Sequence, residues 1–253
     1  MLLEHCPLQI PPDSLTLDEL KLFKLALKQP KKGYRFTLDP LLLCDFSNAK
    51  TEQTIADLGS GCGVMALILA KMASEAQVIA VEKEAAMAAL AMENSRLNGL
   101  EGRVRVLNED LLQIRRHLPV SCCDLVVSNP PYRKQGRGRL NFHPGRMAGR
   151  HETTAGLADF LAAAKYLVKP VGRICTVYHP ARLPEFMAAA SGIKLSVRRL
   201  RMVHGMPGAD AKVFLAELTK GGRIGDTQVL PPLVVRTDGE NYTDELRLIL
   251  LGG

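Results

Sequence analysis

Asp57-Leu58-Gly59-Ser60-Gly61-Cys62-Gly63 joins two apolar stretches of different period. Residues 53–58 ahead of it read as a buried strand, and residues 64–73 behind it read as an apolar helix. Gly59 and Gly61 allow the chain to turn sharply and to approach a ligand closely. A dinucleotide loop, G-x-G-x-x-G, needs its third glycine at position 64. That position is Val64, and the glycine comes one residue early, at Gly63. An aspartate two residues before the first glycine also repels phosphate. The loop suits a ligand with a cationic or amino-acid end and no phosphate, and S-adenosylmethionine (SAM) is such a ligand.

Beyond this loop, strands and helices alternate. Residues 77–81 read as a strand, Ala85–Leu97 as a helix closed by Asn98-Gly99, and residues 103–107 and Cys123–Ser128 as further strands. A helix over 157–168 leads through a turn, Lys169-Pro170-Val171-Gly172, into a strand at 173–178. A helix at 183–190 precedes a strand within 194–203. A glycine- and proline-bearing loop at 204–212 precedes a last strand at 213–218. Upstream, Pro11-Pro12-Asp13-Ser14 caps a short helix or strand, and residues 34–46 run from an aromatic-basic segment into an apolar helix. The tail reads as a short strand near 231–236 and a capped helix near 243–251. One doubly wound α/β domain is the expected architecture.

The 253 residues are 47% hydrophobic and 23% charged, an ordinary globular composition. No apolar run approaches the roughly 18 residues needed to span a bilayer. Met1–Pro7 lacks the basic start and cleavage site of a signal peptide, so a cytoplasmic location and no membrane partner are expected. Six scattered cysteines, without C-x-x-C or a histidine at ligand spacing, imply reduced, buried thiols and no metal. Charge is uneven. Residues 1–130 carry 14 basic and 16 acidic side chains, whereas residues 131–253 carry 19 and 10. The second half is therefore expected to engage a polyanion.

Two more acids follow strands. Glu82, 25 residues beyond Asp57, can accept hydrogen bonds from both ribose hydroxyls of a nucleoside. Asp110, followed by Leu111, stands after the third strand, where it can meet an adenine amine. After the fourth strand comes Asn129-Pro130-Pro131-Tyr132. Two prolines remove two N–H donors and leave the carbonyls before them free as acceptors, while the residue before a proline is held extended. An amide, a carbonyl and an aromatic ring then converge.

Together Asp57–Gly63, Glu82, Asp110 and Asn129-Pro130-Pro131-Tyr132 resemble the class I SAM-dependent methyltransferases. Gly33-Tyr34-Arg35-Phe36-Thr37-Leu38-Asp39-Pro40 and Arg199–His204 resemble, more narrowly, the small NPPY enzymes that include the tRNA1(Val) adenine-N6 methyltransferases. The resemblance implies a Rossmann-like seven-stranded sheet of order 3-2-1-4-5-7-6 with an antiparallel final strand. It also implies a cofactor-closing segment at 1–50, a catalytic domain at 51–222 and a C-terminal extension at 223–253 packed on it. SAM, leaving as S-adenosylhomocysteine, would be held by Asp57, Gly59, Gly61, Gly63, Glu82, Asp110, Leu111 and Asn129, with Arg35 closing over it. Asn129 and Pro130 would accept the two N–H bonds of a planar amine, localising its lone pair, and Tyr132 would stack on the base. Catalysis would then rest on positioning rather than on a dedicated base.

Residues 133–151 contain Arg133, Lys134, Arg137, Arg139, Arg146 and Arg150 and no acid, which suits phosphate contacts delivering a tRNA. Arg198, Arg199, Arg201 and Lys212 extend the same surface on this reading. The rivals are methylation of a protein glutamine amide, or of an adenine or guanine amine in DNA or rRNA. An RNA-binding module without catalysis and an NAD-dependent oxidoreductase stand further off, the latter opposed by the glycine spacing.

Overall fold

The computed structural model describes residues 10–32, 37–49, 54–130, 155–221 and 226–251. Its first elements are a hairpin, β1 (Leu15–Leu20) and β2 (Leu25–Pro30), turned by one 3-10 segment over Lys21–Phe23. The sequence left helix and strand open here. Alternating burial along β2, with Leu25, Leu27 and Gln29 inward, explains why strand wins. The main sheet contains β3 (Thr54–Leu58), β4 (Gln77–Glu82), β5 (Val104–Asn108), β6 (Cys123–Ser128), β7 (Val168–Tyr178), β8 (Leu195–His204) and β9 (Ala211–Lys220). The helices are α1 (Asp39–Ser47), α2 (Val64–Met72), α3 (Ala85–Leu97), α4 (Leu157–Leu167), α5 (Leu183–Gly192) and α6 (Asp244–Leu251).

The spatial order is β5-β4-β3-β6-β7-β9-β8, which is 3-2-1-4-5-7-6 when these seven are counted in chain order. β9 runs antiparallel to both neighbours, and the rest of the core is parallel. Among the described residues the sheet has nine strands, which corrects the expected seven. Two short pieces of the tail, β10 (Gln228–Val229) and β11 (Leu233–Val234), lie parallel to β8 and cover what would be an open edge. A second correction concerns residues 169–172, which belong to β7 rather than to a turn. Cys123 pairs with Val168 but Leu125 pairs with Arg173, so β7 bulges between them. Gly172 permits this. A Cβ there would lie 2.7 Å from the Asp124 carbonyl and from Val168 Cγ2.

Both faces of the sheet are covered. Ile55, Leu125, Val127, Cys175 and Val177 point to the layer of α1, α2 and the hairpin. Ala56, Leu58, Val126 and Ile174 point to the layer of α4 and α5. α2 is buried from Val64 to Ala70 because it is sandwiched, and full burial of Leu67, Ile68 and Leu69 stabilises by about 2–3 kcal/mol each. α1 ends on a charged knot. Arg173 donates to the carbonyl of Ser47 at 2.7 Å and Arg199 to that of Phe46 at 3.0 Å, and both guanidiniums pair with Glu217, at 3.0 and 2.7 Å. The two cations thus satisfy the carbonyl end of the helix.

Candidate active site

Parallel register brings the strand ends level. Leu58 lies beside Val81 and Ser128, and Glu82 beside Asn108. The glycine loop, Glu82, the Asn108–Leu111 segment and Asn129 therefore share one rim. β3 and β6 are adjacent strands whose connections leave in opposite directions across the sheet, which is where open α/β sheets form a ligand crevice. The Ser128 hydroxyl donates to the Leu58 carbonyl at 3.1 Å and locks the two strand ends together.

The loop is tightly held. Gly59 and Ser60 both donate to the Val81 carbonyl, at 2.9 and 3.0 Å, and Gly63 donates to Ser60 at 2.9 Å. Gly59, Gly61 and Gly63 all have positive φ, 75°, 57° and 86°. Space is short as well as conformation. A Cβ on Gly59 would meet the Phe160 ring at 3.3 Å, and one on Gly63 would meet Ala91 Cβ at 3.1 Å.

Asp57 is fully buried beneath this loop, and among the described residues neither carboxylate oxygen has a hydrogen-bond partner. Burial pushes its carboxyl up to about 8. The nearby Ala66 N–H opposes that rise and the charge of Glu82 adds to it. The buried Ser60 hydroxyl is likewise without a partner. Leaving such groups unpaired costs about 1–3 kcal/mol each, so the loop is complete only with a ligand that offers donors or positive charge. SAM, with its ammonium and sulfonium, fits that demand.

Glu82 is half-buried. Its Oε2 accepts from Gly61 N–H and its Oε1 from Glu84 N–H, both at 2.8 Å, and each oxygen keeps a second lone pair. The Asn108 amide ties β5 to the Glu82 and Lys83 carbonyls at 2.9 and 3.0 Å. Asp110 caps the 3-10 turn over Leu111–Arg116, accepting from Leu112 N–H at 3.0 Å, and pairs with Lys83 at 3.0 Å. Partial burial would raise its carboxyl, but the Leu112 N–H and the Lys83 ammonium outweigh that and hold it below the usual carboxylate range. Leu111 is buried at the edge of the α4 layer. Asn129 is half-buried and Pro130 buried at the end of β6.

Arg35, Pro131, Tyr132, Arg133, Lys134, Arg137, Arg139 and Arg146 lie outside the described residues. The wider basic surface expected from Arg198, Arg199 and Arg201 needs correction. Arg199 is spent on Glu217 and on the Phe46 ring, with 4.6 Å to its centroid. Arg201 pairs with Glu245, and Arg198 with Asp226 at 3.5 Å. These cations neutralise acids of their own fold, and the shallow cleft that Arg198 and Arg199 line beside Thr227 and Gln228 is on the β8 edge, away from the rim. Sequence reading missed Phe160 and Ser128, which carry no motif, and Lys83, whose partner is 27 residues away.

The family profile described as Methyltransferase small domain matches residues 39–190, more than half of the chain and the whole of this rim. The chain belongs to that family. The family's methyl donor is SAM. Among its relatives is a tRNA1(Val) (adenine(37)-N6)-methyltransferase of Aeromonas salmonicida, 30% identical, with 81% of this chain and 84% of that one aligned. A protein of the same name from Trichodesmium erythraeum is 27% identical over 80% and 84% of the two chains. The fold is shared with the crystal structure of a predicted O-methyltransferase from Agrobacterium tumefaciens, with a TM-score of 0.69, 23% identity and coverage of 83% of this chain and 94% of that one. Among the described residues no cluster of histidine, cysteine or acidic side chains could hold a metal, and no helix is long and apolar enough to cross a membrane.

Proposed function

We propose that this family member methylates the exocyclic N6 of an adenine in tRNA. The observation that carries the reading is the pair of tRNA adenine-N6 methyltransferases aligned along about four fifths of the chain. Asn129-Pro130 at the end of β6, on the same rim as the glycine loop, supports it. When bound, SAM supplies a methyl group on a positively charged sulfur. Asp57, the Gly59–Gly63 backbone, Glu82, Asp110, Leu111 and Asn129 are the residues that would hold it, with Arg35 closing from the N-terminal segment.

The remaining chemistry belongs to the chain. An aromatic amine is a poor nucleophile because its lone pair is delocalised into the ring. Asn129 Oδ1 and the Pro130 carbonyl accept its two N–H bonds and localise that pair, and Tyr132 stacks on the base, worth about 1–3 kcal/mol. No side chain needs to remove the proton before transfer, so positioning and electrostatics supply the rate. A base inside a helix cannot reach the crevice, and an unpaired loop adenine can. Arg133, Lys134, Arg137, Arg139 and Arg146 bind the phosphates on this reading, and the cytoplasm is where such a tRNA is met. On this reading residues 51–222 form the catalytic unit, 1–50 close over the cofactor and 223–253 pack on the catalytic unit.

Partition of tritiated methyl label among total RNA, DNA and protein tests the substrate class. Label in the RNA fraction, concentrated in tRNA, is expected. Label in protein alone would replace this reading with glutamine methylation.

A further inference from the structure

The glycine loop is gripped from a second side, by α3. Met87, Ala91 and Asn94 fall on one face of that helix, at helical spacing. Ala91 and Met87 approach Gly63 and Gly61, and Asn94 Nδ2 donates to the Cys62 carbonyl at 2.9 Å. Asn94 is fully buried. Its Nδ2 also donates to the Lys28 carbonyl at 3.0 Å, and its Oδ1 accepts from Lys28 N–H at 2.8 Å. One amide thus binds the backbone of hairpin strand β2 in both directions and reaches the cofactor loop as well.

Asn98, one turn further along, supplies an internal comparison. It makes the same two-way contact with β2, accepting from Ala26 N–H at 2.9 Å and donating to the Ala26 carbonyl at 2.7 Å. Its remaining contact is to the Asn94 carbonyl at 2.7 Å, within α3 itself. Both asparagines close the edge of β2 as a neighbouring strand would, but only Asn94 extends to the loop. Opposite it, Glu82 accepts the Gly61 N–H. The Gly61-Cys62 pair is therefore held at its N–H by one side chain and at its carbonyl by another.

We propose that Asn94 is a positioning residue for cofactor binding: it orients the Cys62 peptide so that the glycine loop is preformed, and it makes the grip of that loop depend on the docked hairpin. The inference rests on the reading of this loop as the SAM site. Asn94→Asp keeps the acceptor for Lys28 and replaces the donor with an oxygen facing two carbonyls. Asn98→Asp does the same to the hairpin without touching the loop.

The experiment measures SAM affinity by calorimetric titration, thermal melting, and SAM-dependent methylation of tRNA on the full-length chain and both variants. Asn94→Asp should raise the SAM Kd and KM roughly tenfold or more, with kcat at saturating SAM held within about twofold. Asn98→Asp should lower Tm comparably yet leave the SAM Kd within about threefold of the parent. Equal Kd increases in the two variants, or an unchanged Kd in Asn94→Asp, would overturn the proposal. Should Asn94→Asp fail to fold, Asn94→Ser, which withdraws the reach to Cys62 without adding charge, is judged by the same Kd. A parent protein that binds no SAM would overturn the underlying site reading instead.

Discussion

Glu82 accepts the backbone N–H of Gly61 at 2.8 Å, so the residue read as the ribose ligand is also a brace for the loop beneath the rest of the cofactor. The two tasks are compatible because each carboxylate oxygen has one lone pair to spare. Glu82→Gln sets an NH2 against either Gly61 N–H or Glu84 N–H. The expected outcome is a SAM Kd raised about 10- to 100-fold in calorimetric titration, with a modest change in Tm. An unchanged Kd would remove Glu82 from the site.

Asp57 sets a pH dependence. Its carboxyl, pushed up to about 8 by burial, is neutral in the empty fold at neutral pH, whereas in the unfolded chain it ionises near the ordinary value of 3.8. A raised acid stabilises the folded state below the unfolded value, and that contribution is lost as pH rises through the folded one. The empty protein should therefore lose stability between about pH 4 and pH 8 on this account, and Asp57→Asn should melt higher than the parent near pH 8 while binding SAM more weakly. A cationic ligand favours the ionised form, so parental SAM affinity should rise with pH over the same window. Melting curves of parent and variant with identical pH profiles would contradict the assignment.

Glu217 has the opposite sign. Burial alone would raise its carboxyl, but the hydrogen-bonded Arg199 and Arg173 outweigh burial and hold it below the usual glutamate range. Its contribution is present above that range and is lost in acid as pH falls through the depressed value. Glu217→Gln leaves two guanidiniums facing each other under α1 and should cost about 2–4 kcal/mol in urea unfolding at neutral pH. A loss below about 0.5 kcal/mol would show that the knot is solvated.

Asn129 is read as touching both the cofactor and the amine. Asn129→Ala, assayed at saturating SAM so that its lost contact to the cofactor does not count, should lower the single-turnover methylation rate by about 100-fold or more, the usual cost of losing one preorganised polar contact. A rate within about tenfold of the parent would shift the work to the Pro130 carbonyl alone.

Much of the fold was legible because period and punctuation agree. The G-x-G-x-G loop, the Asn98-Gly99 stop and the apolar runs of β3 to β6 define their elements locally. What was not legible depends on distant partners. The β7 bulge is permitted by Gly172, where a Cβ would collide with the Asp124 carbonyl, and the edge strand β10 and the pairing of β11 exist only because β8 offers them a backbone. The arginines of β8 looked like a nucleic-acid surface because Glu217 and Glu245, 18 and 44 residues from the arginines they pair with, could not be matched to them from sequence. In the site, acid identity was readable and protonation was not. That Asp57 is buried without a partner among the described residues, while Asp110 is capped and paired, is a property of packing.

The most direct measurement is nucleoside analysis of unmodified tRNA after incubation with the purified protein and methyl-labelled SAM. N6-methyladenosine from an anticodon-loop adenine is the expected product, absent when Asn129→Ala replaces the parent. Methyl transfer to a different atom or macromolecule, or none to any tRNA despite bound SAM, would contradict the assignment of the crevice to adenine N6.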